Sequence, residues 1–404
     1  MNSKLERLYD MAVNDLTRNL MPWWMEKAVD EANGGFYGEI DCDDRPVPDA
    51  PKFITLNARL VWTFASVYRV LGDEKYREMA DRAYRYLVEH FRDERHGGYY
   101  AMVDGKGRVL DDHKFVYGNA FALYGLSEYA RATGSEEALA LAKEQAASLE
   151  KAWDPQYKGF YETAKRDWSP SPWIRGVNRS PEDVKTMNSH LHLLEAYACH
   201  LRVNRSPFMQ NRVRQLLYIM LNRIVDGDIH HYRCFMDRAW NPTSWEISYG
   251  HDIEGSWLML EAAQVLGEAE ALRRTRDVCV NMARAALEEG FTGEGAMLTD
   301  FDPVSGRRSQ SLSWWEQNEA VVGFLNAWEQ TGDERFLDAS VRCFEYIEGH
   351  FIDRANGGWY PYLTLDGASQ NRSKADGWTC PYHNSRMSLE IIERCRPRLI
   401  SDAP

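Results

Sequence analysis

The sequence predicts an all-α fold, an (α/α)6 barrel of six helical hairpins with short β-hairpin loops at one mouth. Three observations carry this: a Gly-aromatic phrase recurs, a Gly-acid phrase interleaves with it, and amphipathic stretches flank the second phrase. The first phrase reads "NGGFYGEID" from 33, "HGGYYAMVD" from 96, "YKGFYETAK" from 157 and "NGGWYPYLT" from 356. Degenerate copies, "DGDIHHYRC" at 226 and "GEGAMLTDF" at 293, fill the gap. Its glycines, Gly35, Gly98, Gly159, Gly227, Gly295 and Gly358, lie about 61 to 68 residues apart. A glycine turn feeding a short β-prone run predicts a loop or small hairpin at each.

The elements follow in order. Leu5, Leu8, Tyr9, Ala12, Leu16 and Leu20 share helical spacing and predict an N-terminal helix. "VLGDEKY", "ATGSEEA", "VLGEAEA" and "QTGDERF" then place Gly72, Gly134, Gly267 and Gly332 between paired helices. Glycine ends one helix, and the Asp, Ser or Glu beside it opens the next. One such mark is missing, and "RVNRSPF" around Asn204 and Arg205 stands in its place. Each unit is therefore helix, tight turn, helix, Gly-aromatic loop. About six units fill residues 1–404 without a linker, so a single catalytic domain is expected. The period is too long for 34-residue helical repeats. A closed ring fits the count, with the N-terminal helix beside a last helix near 380–394.

Composition narrows the function. The 404 residues are 44% apolar and 12% aromatic, enough for a sizeable core. A net charge of −13 argues against nucleic acid or an anionic membrane as partner. Seven cysteines form no CxxC pair, which suits a reducing compartment. With no signal-peptide core and no apolar run of about 18 residues, a cytoplasmic protein is expected, monomer or weak homodimer.

Aligning the units on their turn glycines brings chemistry into register. Thirteen residues before the turn stand Arg59, Phe121, His192, Glu254 and Glu319, with His192 counted from Arg205. Sixteen or seventeen before it stand Thr55, Tyr117, Asn188, His251 and Trp315. The two sets lie one helical turn apart and share a face. In a ring they meet at one mouth. Polar helix caps are the plain alternative, but caps are usually Ser, Thr, Asp or Asn, not His, Arg and Trp.

His192, His251 and His383 are the histidines at matching positions; His190 points away from its neighbour's face and reads as structural. No HExxH or closely spaced ligand pair favours a metal. Two facing imidazoles suit proton transfer, because their ordinary pKa lies near working pH. Arg59 is placed to stabilise an oxyanion, and Glu254, one turn from His251, to orient that ring. Trp314, Trp315, Trp378 and Tyr117 offer flat faces on which a sugar ring stacks. Glu254 and Glu319 also permit the hydrolase alternative, which needs two carboxylates about 5 to 10 Å apart.

The motifs "LNARLVWTF", "KTMNSHLHLLEAY", "SYGHDIEGSWLM", "WWEQNEAVVGF" and "WTCPYHNSRM" together resemble the N-acylglucosamine 2-epimerase superfamily, in its disaccharide-acting branch. That resemblance runs from residue 34 to about 393 in the family's order. It implies an (α/α)6 barrel and cofactor-independent, metal-free epimerisation at C2 of the reducing-end glucose of a β-1,4-linked disaccharide. It also implies that His251 and His383 act as general acid and base, and that His192 serves ring opening or holds the open sugar. Arg59 and Asn188 would contact the C1 and C2 oxygens, Glu254 would stand beside the first base, and Trp315 and Trp378 would bracket the reducing-end ring. Tyr117 falls at a matching aromatic position. Ser189, where Thr is expected, and Gly255, where Ala is usual, depart from the pattern. The implied path, through a cis-enediolate, needs one imidazole neutral and one protonated.

Two rivals stay open. A mannose isomerase or monosaccharide 2-epimerase would use nearly the same histidines, and an (α/α)6 glycoside hydrolase would use Glu254 and Glu319 without needing His251. A sugar-binding barrel would have no reason to gather three histidines. The stretch 164–183 is expected to shape the second sugar site, with Trp168 and Trp173 stacking on the non-reducing ring.

Overall fold

A computed structural model describes residues 3–171 and 184–401. An N-terminal helix α1 (Ser3–Asp15) and a short α2 (Met21–Lys27) precede five helical hairpins. These are α3 (Ile54–Leu71) with α4 (Glu74–Tyr86), α5 (Val116–Thr133) with α6 (Glu136–Leu149), α7 (Met187–Val203) with α8 (Pro207–Ile219), α9 (Tyr249–Leu266) with α10 (Ala269–Ala285), and α11 (Trp314–Thr331) with α12 (Glu334–Tyr346). The last helix is α13 (Tyr382–Ser401).

The odd-numbered helices from α3 to α13 pack each on the next, and α13 returns to α3. Their partners lie outside them, with α1 taking the outer place beside α13. This is the expected (α/α)6 barrel. The inner helices are apolar around most of their circumference because both faces are covered; α3 is buried from Ile54 through Val67. One apolar cluster runs from Leu5 to Cys395. No helix among the described residues is long and apolar enough to cross a membrane.

The turn glycines do what their spacing predicts. Gly72, Gly134, Gly267 and Gly332 sit at φ 74°, 73°, 80° and 71°, and each N–H closes the preceding helix. At the missing mark, Asn204 ends α7 outside the left-handed region, and Ser206 caps α8 with Pro207 behind it. α4, α8, α10 and α12 each run into one five-residue π-helical turn before their loop, and a like turn joins α1 to α2.

The Gly-aromatic loops form a collar of short antiparallel strands at the N-terminal mouth of the inner ring. The residues before each inner helix from α3 to α11 are hydrogen-bonded by the following loop, as Lys52–Phe53 by Met102–Val103, Lys114–Phe115 by Thr163–Ala164, and Lys185–Thr186 by Phe235–Met236. Ile40 and Ala375 bridge the first and last units. Buried ion pairs join these loops: Lys52–Asp30 at 2.8 Å, Lys114–Asp93 at 2.9 Å, Lys185–Asp154 at 3.1 Å and Lys374–Asp353 at 2.8 Å. Lys185 also stands 4.5 Å over the Trp240 ring.

Candidate active site

Because side chains in the first turns of the inner helices point toward the collar, the register predicted from sequence converges there. Arg59, Tyr117, Asn188, His192, His251, Glu254, Trp314, Trp315, Trp378 and His383 line one cavity of about 250 Å³. A wider compartment of about 410 Å³ shares Tyr117, Asn188, His251 and Trp378, and adds Phe115, Glu162, Phe235 and Glu246. Glu319 is the one predicted residue that does not line the inner cavity. It lies behind His383, bonded at 2.7 Å to that ring's Nδ1.

The three histidines are backed differently. An ionised carboxylate only accepts, so Glu319 holds the proton of His383 on Nδ1 and leaves Nε2 with a lone pair. Glu195 does the same for His192 at 2.9 Å, and the Nε2 of His192 stands 4.0 Å from Glu254. His251 is held by a hydroxyl: its Nδ1 lies 2.7 Å from Ser248 Oγ. The expectation that Glu254 orients His251 is therefore corrected. Glu254 lies deeper, where Arg386 engages one of its oxygens and the other has no partner among the described residues.

Burial sets the charge states. It presses His251 down to about 3, with the neighbouring His192 adding to the effect. His383 is held well below the ordinary range, by burial first and then by Arg59 and Arg386. Glu254 is pushed up to about 7 by burial and by the charge of Glu319. The free site thus holds two neutral imidazoles and a carboxyl poised near neutrality.

Beneath the cavity, one buried guanidinium organises the carboxylates. Arg386 donates to Glu195, Glu254 and Tyr382, and to Glu319 at 2.6 Å. The Trp257 indole N–H donates to the other oxygen of Glu319 at 3.0 Å. Glu254, Glu319 and His383 place ligand atoms within 4.8 Å of one another, but Arg386 already engages both carboxylates.

The rim combines apolar faces with polar atoms that have no partner among the described residues. Trp315 lies against both imidazoles, 4.7 Å from the His251 ring and 5.6 Å from that of His383. Trp378, 44% exposed, stands where the two compartments meet. Arg59 is clamped between the rings of Phe121 and Tyr382, at 4.3 and 4.8 Å, and donates to Tyr117 Oη at 2.6 Å. Arg59 Nε, Trp314 Nε1, Asn188 Oδ1 and Glu254 Oε2 are buried without a hydrogen bond among the described residues. All four belong to lining residues, so the wall offers both donors and acceptors to a polyhydroxylated ligand.

Other expectations resolve locally. His190 is structural: its Nδ1 meets Thr186 O at 2.7 Å, and its Nε2 accepts from Phe160 N at 2.9 Å. The stacking expected of Trp168 is corrected, since its ring is buried and its indole N–H donates to Gly97 O at 3.1 Å. Trp173 lies outside the described residues. Ser189 donates to Glu162 at 2.7 Å in the compartment wall, and Gly255 is glycine because a Cβ there would overlap the Tyr232 hydroxyl. The sequence reading missed Glu195, Arg386, Trp257 and Ser248. At the opposite mouth, a cavity of about 360 Å³ is lined by arginines and glutamates that pair with one another, among them Arg69 with Glu128, Arg202 with Glu261 and Arg394 with Glu329.

Comparison with known proteins matches the family model of N-acylglucosamine 2-epimerase (GlcNAc 2-epimerase) over residues 35–386. A cellobiose 2-epimerase of Bacteroides fragilis is 40% identical over 380 residues, 94% of this chain and 97% of that protein. The solved cellobiose 2-epimerase of Bacillus thermoamylovorans superposes with a TM-score of 0.92 at 35% identity, covering 98% of this chain and 100% of that one. A D-mannose isomerase, at TM-score 0.79 and 19% identity over 98% of each chain, shares the fold. The chain belongs to the N-acylglucosamine 2-epimerase family.

Proposed function

We propose that this protein is a cytoplasmic enzyme that epimerises C2 of the reducing-end glucose of β-1,4-linked disaccharides, turning cellobiose into glucosyl-mannose and lactose into epilactose. The observation that carries the reading is the pair of imidazoles, His251 and His383, set against one indole beside a second, wider compartment. Two joined compartments suit two linked rings, where a monosaccharide needs only the inner one. The relatives above, named for cellobiose, agree with that division.

The residues divide the chemistry as follows. His192, its Nε2 facing the cavity, assists ring opening to the aldehyde, which acidifies the C2 proton. One of His251 and His383 accepts that proton on Nε2 as the C2–H electron pair moves into the C1–C2 bond. The resulting enediolate is stabilised by Arg59 and Asn188. Rotation about C2–C3 presents the opposite face, and the other imidazole, neutral in the free site and taking up a solvent proton as the neighbouring enediolate's negative charge raises its basicity, donates to C2. One proton has then passed to the sugar and one to the enzyme, and exchange with solvent resets the pair. Trp315 and Trp378 hold the reducing-end ring while Glu254 bonds its hydroxyls.

Chelator-treated protein is incubated separately with cellobiose, lactose, mannose and glucose, and the products are separated and identified. Mannose-ended disaccharides with the glycosidic bond intact are expected. Fructose formed from mannose while the disaccharides stay unchanged, or release of monosaccharides from cellobiose, overturns the reading.

A further inference from the structure

We infer that Ser248 is a positioning residue for His251, holding the imidazole by Nδ1 so that Nε2 faces the sugar; this rests on the epimerase reading and deepens it. Ser248 occupies the N-cap of α9, where a serine hydroxyl normally accepts from a backbone N–H of the first turn. Its counterpart before α7, Thr186, accepts from Ser189 N at 3.1 Å. Ser135 and Ser206, capping α6 and α8, accept from Ala138 N at 3.2 Å and Met209 N at 3.3 Å. Ser248 makes no such bond, and its Oγ lies 2.7 Å from His251 Nδ1 instead. The helix thus forgoes a side-chain cap at a start where the hydroxyl reaches a candidate base instead.

The chemistry of the partner explains the choice. Glu319 can only accept from His383, whereas a hydroxyl both donates and accepts. Ser248 can therefore keep its bond to Nδ1 whether His251 is neutral or protonated, turning its O–H to suit. It adds no charge to the buried cavity. Without it, Trp315 still packs on the ring, but the one hydrogen bond that fixes Nδ1 among the described residues is gone.

The test compares wild type with Ser248→Ala, Ser248→Gly and Ser248→Thr on cellobiose, measuring kcat, KM and melting temperature. Glycine is nearly as good a cap as serine, so it separates capping from ring positioning. Alanine and glycine are expected to lower kcat by about 10- to 100-fold with KM within about threefold, as misplacing one catalytic group does. Their melting temperatures stay close to wild type, and threonine, which keeps the hydroxyl, retains most of kcat. Wild-type kcat in the alanine and glycine variants overturns the role of Ser248. So does a loss of kcat in alanine alone that follows its melting temperature. A wild type inert on every disaccharide overturns the epimerase reading itself, and Ser248's role with it.

Discussion

Replacing Arg386 with methionine removes the single cation shared by three buried carboxylates while nearly preserving side-chain volume. Glu195, Glu254 and Glu319 all bond its guanidinium, and no other cation contacts this cluster at comparable range among the described residues. Leaving a buried charge without its partner costs about 3 to 5 kcal/mol. For a chain of 404 residues that corresponds to a melting temperature about 4 to 6 °C lower. The larger effect falls on turnover. Glu254 already titrates near 7, and without Arg386 all three carboxylates are driven toward their protonated forms. Protonated Glu195 and Glu319 no longer fix the Nδ1 protons of His192 and His383. Loss of the carboxylate that sets a histidine tautomer costs about 10⁴-fold in a serine protease, so about 10³-fold or more is expected in kcat. Arg386→Lys restores part of this, because one ammonium cannot serve several carboxylates as a planar fork does. The assay is disaccharide epimerisation followed by product chromatography, alongside thermal melts. A methionine variant within about tenfold of wild-type kcat, with an unchanged melting temperature, refutes the reasoning.

Other consequences concern the scaffold. Lys52→Met leaves the buried carboxylate of Asp30 with only the amide donors of Asn33 and is expected to destabilise by about 3 kcal/mol or more, read by denaturant melts; an unchanged midpoint contradicts it. Burial lowers His190 to about 4 from 6.5, so its stabilisation is complete above 6.5 and is lost as pH falls toward 4. The stability gap between wild type and His190→Gln should therefore narrow by about 2 kcal/mol from pH 7 to pH 5, and a constant gap argues against a neutral buried ring. Gly255→Ala forces the helix carrying His251 and Glu254 away from Tyr232, costing about 1 to 3 kcal/mol and lowering kcat; a silent substitution means the helix has room there.

The barrel was legible because each structural period left a mark in the sequence. Gly72, Gly134, Gly267 and Gly332 occupy left-handed positions where other residues are strained, so glycine recurs at the repeat. The same register located the lining residues, since equal helical depth in a ring means one mouth. It misled at Glu254: sharing a face with His251 put the carboxylate one turn deeper, within reach of Arg386 and away from the ring. Glu319 shows the same limit, aligned with the lining set yet bonded behind His383. Glu195 and Arg386 were visible as charges three residues after His192 and His383 on buried helices. What they bind comes from four different helices, and no spacing within one motif reports that. Ser248 looked like any cap. The collar pairs had a signal that went unread: Lys52, Lys114 and Lys185 each stand two residues before an inner helix.

The central claim is that an imidazole removes the C2 proton of the reducing-end sugar. It is tested most directly by proton NMR of cellobiose incubated with the chelator-treated protein in D2O. The account predicts a mannose-configured reducing end carrying deuterium at C2, with His251→Ala and His383→Ala each abolishing the exchange. Epimer that retains the original C2 hydrogen, or exchange that survives loss of both histidines, contradicts it.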